Sequence, residues 1–352
     1  MVSARARERC RQRVAALTEQ PADPFAQRFE IIELLRPVVG FERWCWPVCD
    51  PASGLGTTGI GEHDYWPMLP RLLLLDQRLN EPGALPILEN PRARAARDPG
   101  LRFLDVLGPL GIGDELRVPL REEHGLWGCL DLMRSSDEQP FTEQDTAFLD
   151  GLAPLLAAAT RRSAAAAAAG RGGQSAPPAA GVLVLDADLA VRASTAGARA
   201  WLAQLIPPAL PFAEIAAMAP VYNVASRVLA LAGTSHMSRA RGQDLPARAR
   251  VRAATGAWAI IEADRLDPLE QTVAVTIRPA AAHDVLDLRL IAYDLTVRQR
   301  QLVNALLDGS DTKAVSERLF LSPHTVNDHL KAIFDKVGVR TRKELIATLA
   351  GH

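Results

Sequence analysis

The stretch LTVRQRQLVNALLDGSDTKAVSERLFLSPHTVNDHLKAIFDKVGVRTRKELIATLAG, Leu295–Gly351, decides the fold of its end of the chain. Its own punctuation cuts it into four short helices. Thr296 with Gln299 three residues on opens the first, because a hydroxyl and an amide at that spacing each satisfy a free backbone N–H, and Gly309 stops it. Asp311 caps the second. Ser322 followed by Pro323 opens the third, since proline lacks an N–H that the first turn leaves unbonded anyway. Thr341 with Glu344 opens the fourth.

The third helix carries the most information. Val326, Leu330, Ile333 and Val337 fall at i, i+4, i+7 and i+11 and form one apolar stripe, its buried face. Opposite lie His324, Asn327, Asp328 and Lys331, a polar set able to hydrogen-bond base edges in a major groove. A short helix over Thr312–Leu319 precedes it across Phe320-Leu321-Ser322, the spacing of a helix-turn-helix, whose first helix crosses the backbone and whose second enters the groove.

The segment resembles the LuxR-type helix-turn-helix domain from Leu295 to Leu349, on the residues LT and LFLSPHTVNDHLKAIFDKVGVRTRKEL. It departs locally: Val297 sits where the family usually has Pro, Gln299 and Gln301 stand for Glu, and Ala314 replaces an acidic residue that would complete a capping box with Asp311. The resemblance implies a bacterial transcription regulator with double-stranded DNA as partner. By position, Asn327, Asp328 and Lys331 are its base or groove contacts, and Lys313 and Thr325 its phosphate contacts. Asp328 is less usual there; it either accepts from a cytosine amino group or repels phosphate. A homodimer is expected, with RNA polymerase as a candidate further partner.

From Asp294 to His352 there are nine basic and seven acidic residues, against 31 and 34 in the rest of the chain. All four lysines, Lys313, Lys331, Lys336 and Lys343, fall in this segment, and the other 36 basic residues are Arg. A flexible ammonium suits phosphate contact. Ordinary solvated helix charge is the plainer reading, adopted for Lys343 and left open for Lys336.

Upstream, SAAAAAAGRGGQSAPPAAG, Ser163–Gly181, is the clearest composition break: alanines extend a helix, and the Gly/Pro part cannot. A second boundary lies at IRPAAA, Ile277–Ala282. The expected division is a sensor segment over 1–162, a linker over 163–180, a middle segment over 181–282 and the DNA-binding segment over 283–352.

In the first segment, FAQRFEIIELLRPVV reads as helix, FERWCWPVCDP as strand, YWPMLPRLLLLDQRL as helical and ELRVPLREEHGLWGCLDLMR as a hairpin turning at Glu122–Gly125. Thr142-x-x-Asp145 then opens a long helix. That order predicts α+β with an antiparallel sheet. LWGCLDLMR followed by PFTEQDTAFLDGLAPLLA resembles the closing half of a GAF domain, a likeness spanning Pro24–Arg162 that implies small-molecule sensing.

The middle segment opens with a hairpin, GVLVLDADLAVRAST, around Asp186-Ala187-Asp188. Helical stretches over Ala196–Leu205 and Val221–Ala232 follow, then strands RARVRAA, WAIIEA and TVAVTI. Two strands, helices and three strands is the order of a PAS domain, which this α+β segment resembles. Ser194 and Thr195 stand where that family often carries Asn, so no ligand is inferred from the position. The fold class is therefore multidomain: a GAF-like domain, a PAS-like domain and a C-terminal all-α four-helix LuxR-type helix-turn-helix.

Composition agrees with this. The chain has 352 residues, 48% hydrophobic and 23% charged, with 40 Lys+Arg against 41 Asp+Glu for a net charge of −1. That is globular composition for two or three domains, without a wholly basic coat. Cys10, Cys45, Cys49 and Cys129 are too few and irregular for a disulfide framework, which points to a reducing compartment. No run of about 18 apolar residues occurs, and MVSARARERCRQR has no apolar core behind its arginines, so a cytoplasmic protein without membrane contact is predicted.

Cys45-x-x-x-Cys49 lacks a second ligand pair at zinc spacing and reads as buried thiols. Trp44 and Trp46 share the opposite face of that strand, candidate walls for an unidentified small-molecule effector, with core packing as the alternative. His63, His124, His236 and His283 are scattered and imply no metal. No phosphate-binding loop, nucleophile elbow or converging set of titratable residues is visible, so neither catalysis nor a cofactor is predicted.

A receiver domain opens with a strand ending in paired acidic residues, and this sequence opens with an Arg-rich helix, so phosphorelay input is not expected; Asp64-Tyr65-Trp66 is too short to argue for an acyl-homoserine lactone site. The rival to sensing is that both α+β segments are protein-interaction modules. A cavity well below about 300 Å³ favours that rival.

Overall fold

The computed structural model describes residues 2–20, 23–62, 66–77, 94–95, 103–123, 125–169, 176–205, 213–232, 246–267 and 271–350. They group into two compact units, 1–160 with 175–279 and 161–174 with 280–352.

The first unit holds two antiparallel sheets. One comprises β1 (Arg43–Cys49), β2 (Gly56–Glu62), β3 (Arg94–Ala95), β4 (Ile112–Glu122) and β5 (Gly125–Ser135), in the order β2-β1-β5-β4-β3. Pairing of β1 with β5 runs through Cys45↔Asp131, lapses at Trp46 and Pro47, and resumes at Val48↔Gly128. The lapse falls where proline has no N–H to donate. Strand β2, GTTGIGE, escapes sequence reading because three glycines erase any apolar alternation.

Helices α1 (Ala4–Glu19) and α2 (Pro24–Val39) lie over one sheet face. There Ile31, Ile32 and Leu35 meet Trp44, Trp46, Leu130 and Leu132 in a common core. Phe29 stands edge-on to Trp44, with ring centroids 5.3 Å apart. After α3 (Leu69–Asp76) and the short α4 (Phe103–Leu107), the expected capping box forms at α5 (Glu143–Asp150). Asp145 does more than cap: Arg7 Nη2 donates to it at 2.7 Å, tying α1 to α5. Helix α6 (Ala153–Ala169) continues through the alanine run, as alanine's low side-chain entropy cost favours.

The second sheet comprises β6 (Gly181–Leu185), β7 (Val191–Ser194), β8 (Arg248–Arg252), β9 (Trp258–Asp267) and β10 (Thr272–Pro279), ordered β7-β6-β10-β9-β8. Counted within its own segment, each sheet has its strands in the same order: second, first, fifth, fourth, third. Between β7 and β8 lie α7 (Ala196–Leu205) and α8 (Ala213–Ala232). Helix α8 starts eight residues before the Val221 that sequence reading chose. Pro220 sits inside it, and an interior proline reads as a boundary.

The two sheets fall in one compact unit. Helix α8 packs against α3 and β2 of the first and against β9 and β10 of the second. Leu55, from the β1–β2 turn, is buried in the second sheet's core beside Val224 and Val251. A composition break marks where the chain changes character, and says nothing about which surfaces later meet.

The second unit contains α9 (Ala282–Ala292), α10 (Val297–Leu307), α11 (Thr312–Leu319), α12 (Pro323–Val337) and α13 (Arg342–Ala350). Leu302, Leu306, Val315, Val326, Ile333 and Leu345 share its core. Among the described residues, no helix is long and apolar enough to cross a membrane.

Candidate nucleic-acid interface

Both helices of the helix-turn-helix open on the residue the sequence marked, and their C-terminal ends add two left-handed residues. Ala314 N donates to Asp311 Oδ1 at 2.8 Å, opening α11. Phe320 ends it in the left-handed region at φ 52°, and Leu321 N donates back to Ser316 O at 3.0 Å. Thr325 N donates to Ser322 Oγ at 3.1 Å, opening α12, and Gly338 closes it at φ 76°. The Thr296–Gln299 box survives glutamine in place of glutamate: Thr296 N donates to Gln299 Oε1 at 3.0 Å.

These caps fix the rotation of α12. Val326 and Ile333 are fully buried, Val337 nearly so, and Leu330 is half-buried against the same core. His324, Asn327, Asp328 and Lys331 are exposed, as is Lys313 on the first turn of α11. Thr325 is half-buried, and its hydroxyl lies 2.8 Å from Ser322 Oγ within the cap. His324 Nδ1 and Asp328 Oδ2, one turn apart on this face, are 2.9 Å apart.

Other cations are engaged inside the unit. Lys336 Nζ donates to Asp294 O at 2.5 Å and Gln299 Oε1 at 3.2 Å, pinning α12 to the start of α10. Arg298 bonds Leu319 O, and Arg318 pairs with Asp308 at 2.9 Å. Sequence reading passed over Phe320, 94% exposed in the turn just before α12.

A second site lies in the first unit, where β1, β2, β4 and β5 face α3 and α8. They enclose a cavity of about 120 Å³. Arg117 anchors its polar end, 2.9 Å from Asp76, 3.3 Å from Asp131 and 3.8 Å from Glu115. Cys129 Sγ donates to Asp131 at 2.9 Å.

Burial pushes the Glu115 carboxyl up to about 8; Arg117 pulls it down, and Asp131, Asp76 and Asp114 reinforce the rise. Burial likewise raises Asp76 against the pull of Arg117. For Arg117 burial acts downward, but the surrounding carboxylates outweigh it and hold it well above its ordinary value. Burial takes the Cys49 thiol up to about 12 and Cys129 well above its usual range. These titratable groups are scattered over Cys49 to Asp131 in sequence, and only the fold makes them converge.

Trp44 and Trp46 do not line this cavity. They are 0% and 1% exposed in the core under α2, while Cys45, Pro47 and Cys49, on the other face of β1, form the wall. Strand alternation puts the two tryptophans on one face, and that face is packed core, the alternative reading of the pair; which face of a sheet is covered by close-packed helices is a tertiary matter. His63, His124, His236, Asp64 and Tyr65 lie outside the described residues. His283 is exposed, 3.7 Å from Asp284. Among the described residues no cluster suits a metal ion.

Comparisons with known proteins fall on the same segments. Residues 294–349 match the family model of bacterial regulatory proteins, luxR family, and residues 29–160 match the GAF domain. The chain is 31% identical over 98 residues to the probable transcriptional regulatory protein SgaR of Hyphomicrobium methylovorum, covering 26% of this chain and 46% of that protein, so it spans just under half that relative's length. It is 33% identical over 55 residues to the spore germination protein GerE of Bacillus subtilis (strain 168), covering 16% of this chain and 74% of GerE.

The solved structure of SdiA in complex with octanoyl-rac-glycerol aligns over 97% of this chain and 93% of its own at 11% identity, with a TM-score of 0.35, too low to carry an argument. With the helix-turn-helix in place and three quarters of GerE covered at that identity, the chain belongs to the luxR family of bacterial regulatory proteins and carries a GAF domain ahead of its C-terminal helices.

Proposed function

We propose that the protein is a sequence-specific DNA-binding transcription regulator that acts as a cytoplasmic homodimer. The observation that carries this is the exposed Asn327–Asp328–Lys331 face of α12, set opposite a core-facing apolar stripe in a capped helix-turn-helix. Asn327, Asp328 and Lys331 read base edges, with Lys313 and Thr325 holding phosphates. Two copies pair through α13 and the upstream domains, which places their α12 helices on half-sites about one helical turn, roughly 10 bp, apart. RNA polymerase is the further partner such a regulator engages. The upstream GAF and PAS-like segments supply the input; the shared strand order of the two sheets and the two-strand, helix, three-strand succession of the second support that reading.

Selection of binding sites from random duplex, followed by anisotropy titration at several salt concentrations, tests this. Lys331→Ala is expected to weaken specific binding more than binding to random DNA. Lys313→Ala is expected to weaken both and lower the salt slope by about one. Equal losses on both DNAs for Lys331→Ala remove its base-reading role, and no selected site removes the proposal.

A second reading has its own support. At about 120 Å³ this cavity is well below the roughly 300 Å³ of sites for drug-sized molecules, which favours control by a partner protein over a large effector bound there; the open groove between α1 and α2, about 880 Å³, lies outside that argument.

A further inference from the structure

The junction cavity contains an imbalance of charge that its own residues leave uncorrected. Asp76 from α3, Glu115 from β4 and Asp131 from β5 share one guanidinium, Arg117. Arg227 on α8 also acts on Asp76 from beyond ion-pair distance, yet with all three carboxylates ionised a net negative charge is left over in a buried site, which is costly unless a proton or a further cation offsets it. Glu115 is the group left out. It is 4% exposed, Arg117 reaches it only at 3.8 Å, and its Oε2 is buried without a hydrogen-bond partner. Carboxylate oxygens removed from water are normally bonded, so a bare one on a residue that lines the cavity marks where a donor belongs.

The other walls define what fits. Leu69, Leu72, Leu73 and Met133 offer apolar surface to a short stem, Trp66 an aromatic ring, and Asn223 an amide from α8. About 120 Å³ holds roughly four water-sized groups.

We propose that this cavity is a receptor site for a small organic cation, an alkylammonium of about four heavy atoms, whose N–H groups bond Glu115 Oε2. The proposal rests on the reading of the upstream domains as the sensory input and supplies that input's ligand class. Without the cation, Glu115 holds a proton; with it, the ammonium takes over the compensation and the proton leaves. The groups facing Glu115 are Asp76 on α3, Asp114 and Arg117 on β4, Asp131 and Cys129 on β5, and Cys49 on β1. Among these groups Arg117 is the single cation and is shared three ways; Arg227 on α8 acts on Asp76. Asn223 sits on the helix that also lines the second sheet's core, so occupancy is felt by both sheets.

The test is isothermal titration of the full chain with n-propylammonium chloride at fixed ionic strength, with sodium and tetramethylammonium as comparison ions. Expected is saturable binding of propylammonium that weakens about tenfold per pH unit below 8, as a ligand competing with one proton must. At pH 7, titration in two buffers of different ionisation enthalpy should show about one proton released. Glu115→Gln, neutral at every pH, should abolish binding. The buffer comparison on the unaltered protein decides the matter if that variant does not fold.

Propylammonium binding no tighter than tetramethylammonium, or without proton release, overturns the site. Parallel DNA titrations separate the two readings. Cation binding that leaves DNA affinity unchanged upholds the site and removes its role as input. No cation binding beside intact operator binding removes the site and leaves the regulator.

Discussion

Asp50 and Arg250, 200 positions apart, form a buried two-pronged ion pair between the β1–β2 turn and strand β8. Arg250 Nε donates to Asp50 Oδ2 at 2.8 Å and Nη2 donates to Oδ1, while the Arg250 backbone N–H also reaches Oδ2 at 2.9 Å. The turn's own Ala52 N–H bonds Oδ1 at 3.0 Å, so one carboxylate holds both the turn and the neighbouring sheet. Removing either partner strands the other in a site less than 10% exposed. Asp50→Ala or Arg250→Ala is expected to cost about 3–5 kcal/mol by urea denaturation. The doubly substituted chain should lose less than the sum of the two single changes.

Glu115 makes stability depend on pH. Unfolded, it titrates near 4.5; folded, burial pushes it up to about 8. Between those values the folded chain keeps a proton that the unfolded chain has released, so stability falls as pH rises. The contribution is fully present below about 4.5, is lost through about 8, and amounts to a few kcal/mol at most. Glu115→Gln should flatten that part of the profile and leave the variant more stable than the parent at pH 8, read from urea midpoints across the range.

Two left-handed helix ends in the second unit predict opposite effects. Gly338, at φ 76°, has open space around a would-be Cβ, so Gly338→Ala should cost only the backbone penalty, about 1 kcal/mol. Phe320 adopts φ 52° with its ring 94% exposed, so the fold gains little from the side chain. Phe320→Gly should raise stability by about 0.5–1 kcal/mol in thermal unfolding.

The thiols should be unreactive in the folded chain. Cys10, Cys49 and Cys129 are buried, and burial raises all three away from the thiolate form that reacts. Iodoacetamide at pH 8 should leave them unmodified in native protein and label them in urea, by intact mass. Cys45, half-buried on the cavity wall, is the one expected to react first.

What the sequence determined by itself is local. The caps at Thr296, Asp311, Ser322 and Thr341 and the 3.6-residue stripe through Val326 and Ile333 set the starts and rotation of the C-terminal helices, because capping and amphipathic burial act within a few turns. The exposed face of α12 follows from them. The alternation in β1 was equally legible, down to the pairing of Trp44 with Trp46. Tertiary structure decided which face of β1 became core and which became cavity wall. It alone brought Asp76, Glu115 and Asp131 around Arg117, joined Asp50 to Arg250, and carried α8 back through Pro220 to Ala213. Charge compensation and burial act through space among residues far apart in the chain, and local periodicity holds no trace of them.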